Sequence, residues 1–296
     1  MSYLKQFEYV LAIAECGGIS QASERLGVSQ PTFSKYLKKI EGELGVELVD
    51  RSTLPIRLTK AGEAFLAAGR RFLDLDRQLA KQLDEIKGSG SVVRVGISPS
   101  RSPYVMPDVV AEFYSTCPNA RIVIEERTTA ELNERLRTGE LDLLISLLDA
   151  DTESFCKKEL FDEEILLAVP TGLLRDGDGA KDVIGRVPLI SVGRTQALWQ
   201  VVEGIWDRLG AGVPKVECQS IESGMALVKR GVGAMLVPSY IAGKCGESVK
   251  FLSLGKGAFG VPCRKVCLFY RAEQYLSQAE RQFAECVGRV CGTKRG

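Results

Sequence analysis

The sequence predicts an α/β chain: a helical head carrying a small hairpin, then one long helix, then a two-lobed α/β region. Three observations carry this. Residues 18–58 pack short amphipathic helices, glycine stops and two alternating runs into one segment. Residues 59–87 hold no proline and only Gly62 and Gly69, with apolar residues at steps of three and four. From Val92 onward, short apolar runs alternate with amphipathic segments, the pattern of βαβ units.

In the head, Leu4, Phe7, Leu11 and Ala14 mark a first amphipathic helix, closed by Gly17-Gly18. Ser20 is placed to cap a short second helix, 21–26, which Gly27 stops. The third helix starts at Ser29-Gln30-Pro31. Ser29 supplies a cap, and Pro31 sits in the first turn, where its missing N–H costs nothing. Phe33, Leu37, Ile40 and Leu44 then form one apolar stripe at helical spacing. The opposite face carries Pro31, Thr32, Lys35, Lys38 and Lys39. Three lysines and no acid lie between Ser29 and Lys39, whereas Glu41 and Glu43 follow at once. Such a face suits a phosphate-lined major groove at its N-terminal end.

The plain alternative is an amphipathic helix with a solvated basic face. Order argues against it: helix, short helix, tight turn and lysine-faced helix is the helix-turn-helix sequence. Next come Val46-Glu47-Leu48-Val49 and Pro55-Ile56-Arg57-Leu58, bracketing residues 50–54 as the two runs of a hairpin wing. Arg51 and Arg57 are placed for backbone phosphates. The nucleic-acid contacts expected are Ser20, Gln21, Ser29, Gln30, Pro31, Thr32, Ser34, Lys35, Lys38, Lys39, Arg51 and Arg57. Gln30 is positioned to pair with adenine and Thr32 to touch a thymine methyl.

These residues also resemble a known family, the LysR-type transcriptional regulators. The resemblance is carried by Gly18-Ile19-Ser20-Gln21-Ala22-Ser23-Glu24-Arg25-Leu26-Gly27-Val28-Ser29-Gln30-Pro31, by Ser34-Lys35, and by Ile40-Glu41-Gly42-Glu43-Leu44-Gly45-Val46. It continues through Leu48-Val49-Asp50-Arg51 and Leu58-Thr59-Lys60-Ala61-Gly62. Looser matches follow at 104–113, 136–142 and 228–238. Lys35 stands where the family often has arginine, and Ser23 where a second alanine is common. The first softens bidentate reading of guanine. The resemblance implies a winged helix-turn-helix, a linker helix, and an effector domain like a periplasmic binding protein. It implies double-stranded DNA with an inverted-repeat operator, a small-molecule effector, and RNA polymerase if the regulator is an activator. Relatives are often tetramers.

In the long helix, Phe65, Ala68, Phe72, Leu75, Leu79, Gln82 and Ile86 fall at alternating steps of three and four, a heptad seam. Packing on the chain's own first helix would cover only part of it, so a homodimer is expected. Gly88-Ser89-Gly90-Ser91 then reads as a flexible hinge.

Strands are expected at 92–97, 121–125, 141–146, 165–169, 189–192, 215–219, 234–237 and 265–270, and helices at 104–115, 130–137, 197–209, 221–229 and 273–290. The division predicted is 1–58, 59–87, 88–91 and 92–296, with lobe I at 92–161 and 267–296 and lobe II at 162–266. Ligands in open α/β folds sit beyond strand carboxyl ends, at helix N-termini and between lobes. Candidate effector contacts are therefore Ser98, Ser100, Arg101 and Ser102 after the first strand, Ser102 being placed to cap a helix. Thr128 and Thr129 follow the second strand, Ser146 ends the third, and Thr195 and Gln196 open a helix in the other lobe. Hydroxyls, free N–H groups and Arg101 suit a carboxylate. Serine and threonine at helix starts are also ordinary caps.

Composition narrows the function classes. The chain has 296 residues, 39 basic against 38 acidic, so any DNA contact must come from local placement. There is no histidine, which excludes Ser-His-Asp and Cys-His catalysis and every His-containing metal site. Nine cysteines are scattered without a C-x-x-C pair, and the N-terminus lacks an apolar secretory core. Both point to the reducing cytoplasm, with no membrane partner and no cofactor. One cysteine as a redox sensor is the rival to inert burial. The rival to a regulator is an α/β small-molecule-binding protein or enzyme with an incidental N-terminal helical domain. A receptor would need export, and an enzyme would need convergent acid–base groups; neither is visible.

Overall fold

The computed structural model describes residues 3–87, 91–149, 152–193, 199, 202–205, 214–242, 245–254 and 264–292. The chain divides into two compact units, 1–89 with 137–140 and 90–136 with 141–296, and each is described by itself.

The first unit begins with α1 (Tyr3–Cys16), α2 (Ile19–Arg25) and α3 (Gln30–Leu44). Tyr9, Val10 and Ile13 of α1 pack with Phe33, Leu37 and Ile40 of α3 and with Leu48 and Val49. Tyr9 alone stacks on Phe33 at 4.8 Å and meets Tyr36 at 4.4 Å. Ser29 caps α3 as expected, its Oγ accepting from the Thr32 amide at 3.4 Å, and Gly45 ends the helix at φ +70°, a left-handed residue. Ser20 is not a cap. It lies inside α2, whose N-cap is Gly18 in extended conformation, and it reaches Gln30 instead at 3.4 Å.

The wing is shorter than its alternation suggests: β1 (Val49–Asp50) pairs antiparallel with β2 (Arg57–Leu58). The cause is tertiary. The Glu41 carboxylate takes the amides of Leu48 and Val49 at 2.9 and 3.4 Å, so the Leu48 amide is not free to extend the ladder beyond Val49. Thr59 then caps α4 (Lys60–Ile86), accepting from the Gly62 amide at 3.1 Å. Gly62 is required there, because a Cβ would stand 2.0 Å from the Leu48 carbonyl oxygen.

The second unit holds two five-stranded sheets. One has β3 (Val92–Ile97), β4 (Arg121–Glu126) and β5 (Leu143–Leu147) parallel, joined by α5 (Ser102–Thr116) and α6 (Thr129–Arg137). β12 (Arg264–Tyr270) runs antiparallel beside β5, and β6 (Cys156–Glu163) closes the edge. The other sheet has order β11-β7-β10-β8-β9, from β7 (Ile165–Pro170), β8 (Leu189–Val192), β9 (Val216–Cys218), β10 (Ala234–Pro238) and β11 (Val249–Ser253). Short helix α7 (Ala180–Ile184) and helix α8 (Ile221–Lys229) serve this lobe, and each lobe buries its own apolar cluster.

Three elements escaped the sequence reading: β6, β11 and α7. β6 reads Cys-Lys-Lys-Glu-Leu-Phe-Asp-Glu, an edge strand whose exposed charges mask its alternation. The last helix, α9, spans Gln278–Gly292 and starts later than expected. Ser277 and Glu280 box its N-terminus, the Ser277 amide donating to Glu280 at 2.8 Å. The chain crosses between sheets at Glu164 and again between Leu254 and Arg264. Asp162, Glu163 and 264–266 therefore belong to strands of the first sheet, not to lobe II, because strand pairing extends to both crossing points. Of the hinge 88–91 only Ser91 is described, and of the helix 197–209 only Trp199 and 202–205. Among the described residues, no helix is long and apolar enough to cross a membrane.

Candidate nucleic-acid interface and ligand site

The first surface is built on α3. Ser20, Gln21, Ser29, Gln30, Pro31, Thr32, Lys35, Lys38 and Lys39 are all exposed, and Ser34 is half-buried between them. Phe33, Leu37, Ile40 and Glu41 hold the opposite face in the core. Thr32 and Ser29 share a hydroxyl hydrogen bond at 2.8 Å, and Ser20 donates to the Gln30 carboxamide, so the entering end of the helix is ordered before any ligand arrives. Lys38 and Lys35 have no ion-pair partner among the described residues, whereas Lys39 lies 3.7 Å from Glu43. Arg57 is exposed on the wing. Arg51 is different. Its side chain is exposed too, but its guanidinium is held 2.7 Å from the buried Glu41 carboxylate, so the pair braces the wing. Only the long-range Glu41 contact reveals this.

The second site lies where β3 meets α5. The Ser98 carbonyl accepts the amides of Arg101 and Ser102, both at 3.0 Å. Arg101 is the N-cap residue, in helical conformation and without a side-chain cap bond, while Ser102 is the first helical residue and buried. Ser102 is thus not the cap, because the turn closes on a backbone carbonyl. The Ser98 and Ser100 hydroxyls approach at 3.5 Å, and Arg101 donates to Ser98 at 3.3 Å.

Arg101 is buried and already paired, donating to Glu163 at 2.9 Å. Arg264 binds the other Glu163 oxygen. From the second lobe, Tyr240 sets its ring 5.4 Å from the Arg101 guanidinium and donates its hydroxyl to the Ser100 carbonyl at 3.3 Å. Burial pushes the Tyr240 phenol up to about 12, so it stays a neutral donor. Tyr104 packs beside it with its ring tilted, the centroids 5.6 Å apart, its own phenol raised to about 12 by burial.

Thr128 is exposed and boxes the start of α6: it donates through Oγ1 to Glu131 at 2.7 Å and accepts from the Glu131 amide at 3.4 Å. That hydrogen bond holds the Glu131 carboxyl below its ordinary range. Thr129 is the first residue of α6, half-buried. Ser146 is buried within β5, opposite Cys267, and does not end the strand. Thr195 and Gln196 lie outside the described residues. The sequence reading missed Glu163, Arg264 and Tyr240. Its one available signal was an acidic pair, Glu163-Glu164, set directly against the apolar run that starts at Ile165.

Against known proteins, residues 4–63 match the bacterial regulatory helix-turn-helix of the lysR family, and 87–292 match the LysR substrate binding domain. The chain belongs to the LysR family. It is a LysR-type DNA-binding transcriptional regulator with an effector-binding domain. Similar relatives include a probable hydrogen peroxide-inducible genes activator of Mycobacterium leprae, 28% identical over 96% of this chain and 93% of that one. Among solved structures, a full-length OxyR cysteine-to-aspartate variant from Pseudomonas aeruginosa covers 98% of this chain and 95% of its own, at 25% identity and a TM-score of 0.69. Full-length CbnR bound to its target DNA shares the fold, with a TM-score of 0.63 at 24% identity, covering 98% of this chain and all of its own (100%). A two-domain regulator is therefore the correct choice over an α/β protein with an incidental helical domain.

Proposed function

We propose that this regulator reads an inverted-repeat operator through α3 and answers to a small organic anion held between its two lobes. The observation that carries the reading is the capped, acid-free start of α3, with Gln30, Thr32, Lys35 and Lys38 together on one exposed surface. Gln21, Ser34 and Lys39 flank that surface, and Arg57 supplies a phosphate contact from the wing. The anion would be held by Ser100, Thr128 and the N–H groups after Pro99, with Ser98, Ser102, Thr129 and Ser146 behind them and Thr195 and Gln196 from the other lobe.

Residues 1–58 serve as the DNA-binding domain, 59–87 as the dimer helix, 88–91 as the hinge and 92–296 as the effector domain. The seam of α4 supports a homodimer. Phe65 and Phe72 lean on Phe7, at 4.6 and 6.2 Å, but Leu75, Leu79 and Ile86 are 64%, 54% and 81% exposed. Ala68 is exposed on the same helix, and Leu83 joins the apolar row. The regulator acts in the cytoplasm without catalysis, recruiting RNA polymerase where it activates.

Three of the nine thiols argue for a ligand rather than for oxidation at their own positions. Burial pushes the thiols of Cys245, Cys267 and Cys286 up, away from the reactive thiolate. The deciding experiment is mobility shift on the DNA upstream of this chain's own gene, with and without candidate anions. Failure of the full chain to retard that DNA or any duplex selected from a random pool would sink the reading.

A further inference from the structure

The buried charge beside Ser100 is unbalanced. Glu163 is wholly buried and offers one oxygen to Arg101 and the other to Arg264. Two guanidinium groups thus share one carboxylate. The Nε atoms of both arginines are buried with no hydrogen-bond partner among the described residues, and Arg101 itself is only 6% exposed. The charged groups that act on the Tyr240 phenol are these same three, and Tyr240, being neutral, adds no countercharge. The positive end of α5, a helix of 15 residues that begins beside Arg101, adds to the imbalance. With Arg101 buried and the Arg264 side chain 16% exposed, this excess charge is largely desolvated and unfavourable until it is paired.

We infer that the Arg101–Glu163–Arg264 cluster selects the effector by charge, admitting a ligand that presents a single carboxylate at the Ser98–Ser102 turn. This rests on that turn being the effector site. Glu163 acts as a resident anion that neutralises one of the two arginines, leaving room for one further negative charge and repelling a second. Placement gives the choice a consequence. Glu163 closes β6 and Arg264 opens β12, the strand ends at which the chain crosses between lobes. The ligand's charge therefore settles against both crossings at once.

The test is calorimetric titration of the full chain with sodium acetate and sodium malonate as probes, at one fixed ionic strength. The parent is expected to bind acetate saturably and malonate at least tenfold more weakly. Glu163→Gln adds one net positive charge and should invert that order. Arg264→Met keeps the neutral Arg101–Glu163 pair and should weaken acetate at least tenfold; with circular dichroism as the folding control, it carries the test if Glu163→Gln does not fold. Ser100→Ala separates the two readings. If it weakens acetate while Glu163→Gln leaves the acetate-to-malonate ratio unchanged, charge selection is wrong and the site stands. If neither Ser100→Ala nor Arg264→Met changes acetate binding, or the parent shows no saturable acetate binding, both are overturned.

Discussion

At the scale of single residues, the surface of α3 separates reading from holding. Gln30 is anchored by Ser20 at the end of the helix that would enter the groove. Gln30→Ala should cost about 1–3 kcal/mol at one base position and relax specificity there. Lys38→Ala and Arg57→Ala should instead weaken all sequences alike, each lowering the salt slope by roughly one unit. Equal affinities of Gln30→Ala for selected and random duplexes, matching the parent's, would show the roles are misassigned. Arg51 is exposed as well, but it is paired with Glu41. Its partner Glu41 also holds two backbone amides, so Glu41→Ala strips three donors at once. Urea unfolding should register a loss of about 1–3 kcal/mol, the usual penalty for unsatisfied buried groups. Arg51→Ala that weakens DNA binding at unchanged stability would make Arg51 a phosphate contact as well.

At the scale of elements, what could be read from the chain was what local chemistry decides. Ser29 and Pro31 fix the start of α3, Gly45 its end, and the run at 189–192 is a strand buried on both faces while that at 92–97 is buried on one face and partly on the other. What escaped depends on distant partners. The wing ladder stops at Val49 where Glu41 takes the Leu48 amide, and Arg101 looked like a free cation because Glu163 is 62 residues away. The heptad seam of α4 was legible for the converse reason: its pattern is local, and Leu75, Leu79 and Ile86 stay exposed among the described residues. Leu79→Glu would set a charge against its symmetry mate, breaking the dimer and abolishing binding to a two-half-site operator while both units stay folded. Sedimentation equilibrium decides this, since a persisting dimer would mean the seam does not hold the protomers together.

At the scale of the whole molecule, effector control requires that a ligand distinguish two arrangements of the lobes. It can shift their balance only by its differential affinity, typically about 1–3 kcal/mol. Ser100 and Thr128 are the hydroxyls proposed to supply that difference, and the structure shows how to change them without ambiguity. Thr128 boxes α6, so Thr128→Val would remove a cap worth about 1 kcal/mol as well as a ligand contact. Thr128→Ser keeps the cap oxygen and serves as the control. Among the described residues the Ser100 hydroxyl has one hydrogen-bond partner, Ser98 at 3.5 Å, so Ser100→Ala should be nearly silent in thermal unfolding. The double change Ser100→Ala with Thr128→Val should abolish the effect of an anionic effector on operator affinity, lowering the melting temperature by a few degrees. Ser100→Ala with Thr128→Ser should lose only part of the response and none of the stability. If the double change unfolds like its parent and still responds fully to the effector, these hydroxyls hold neither the helix nor the ligand. In that case the recognition of the anion falls to the backbone N–H groups after Pro99 and to the arginines behind them.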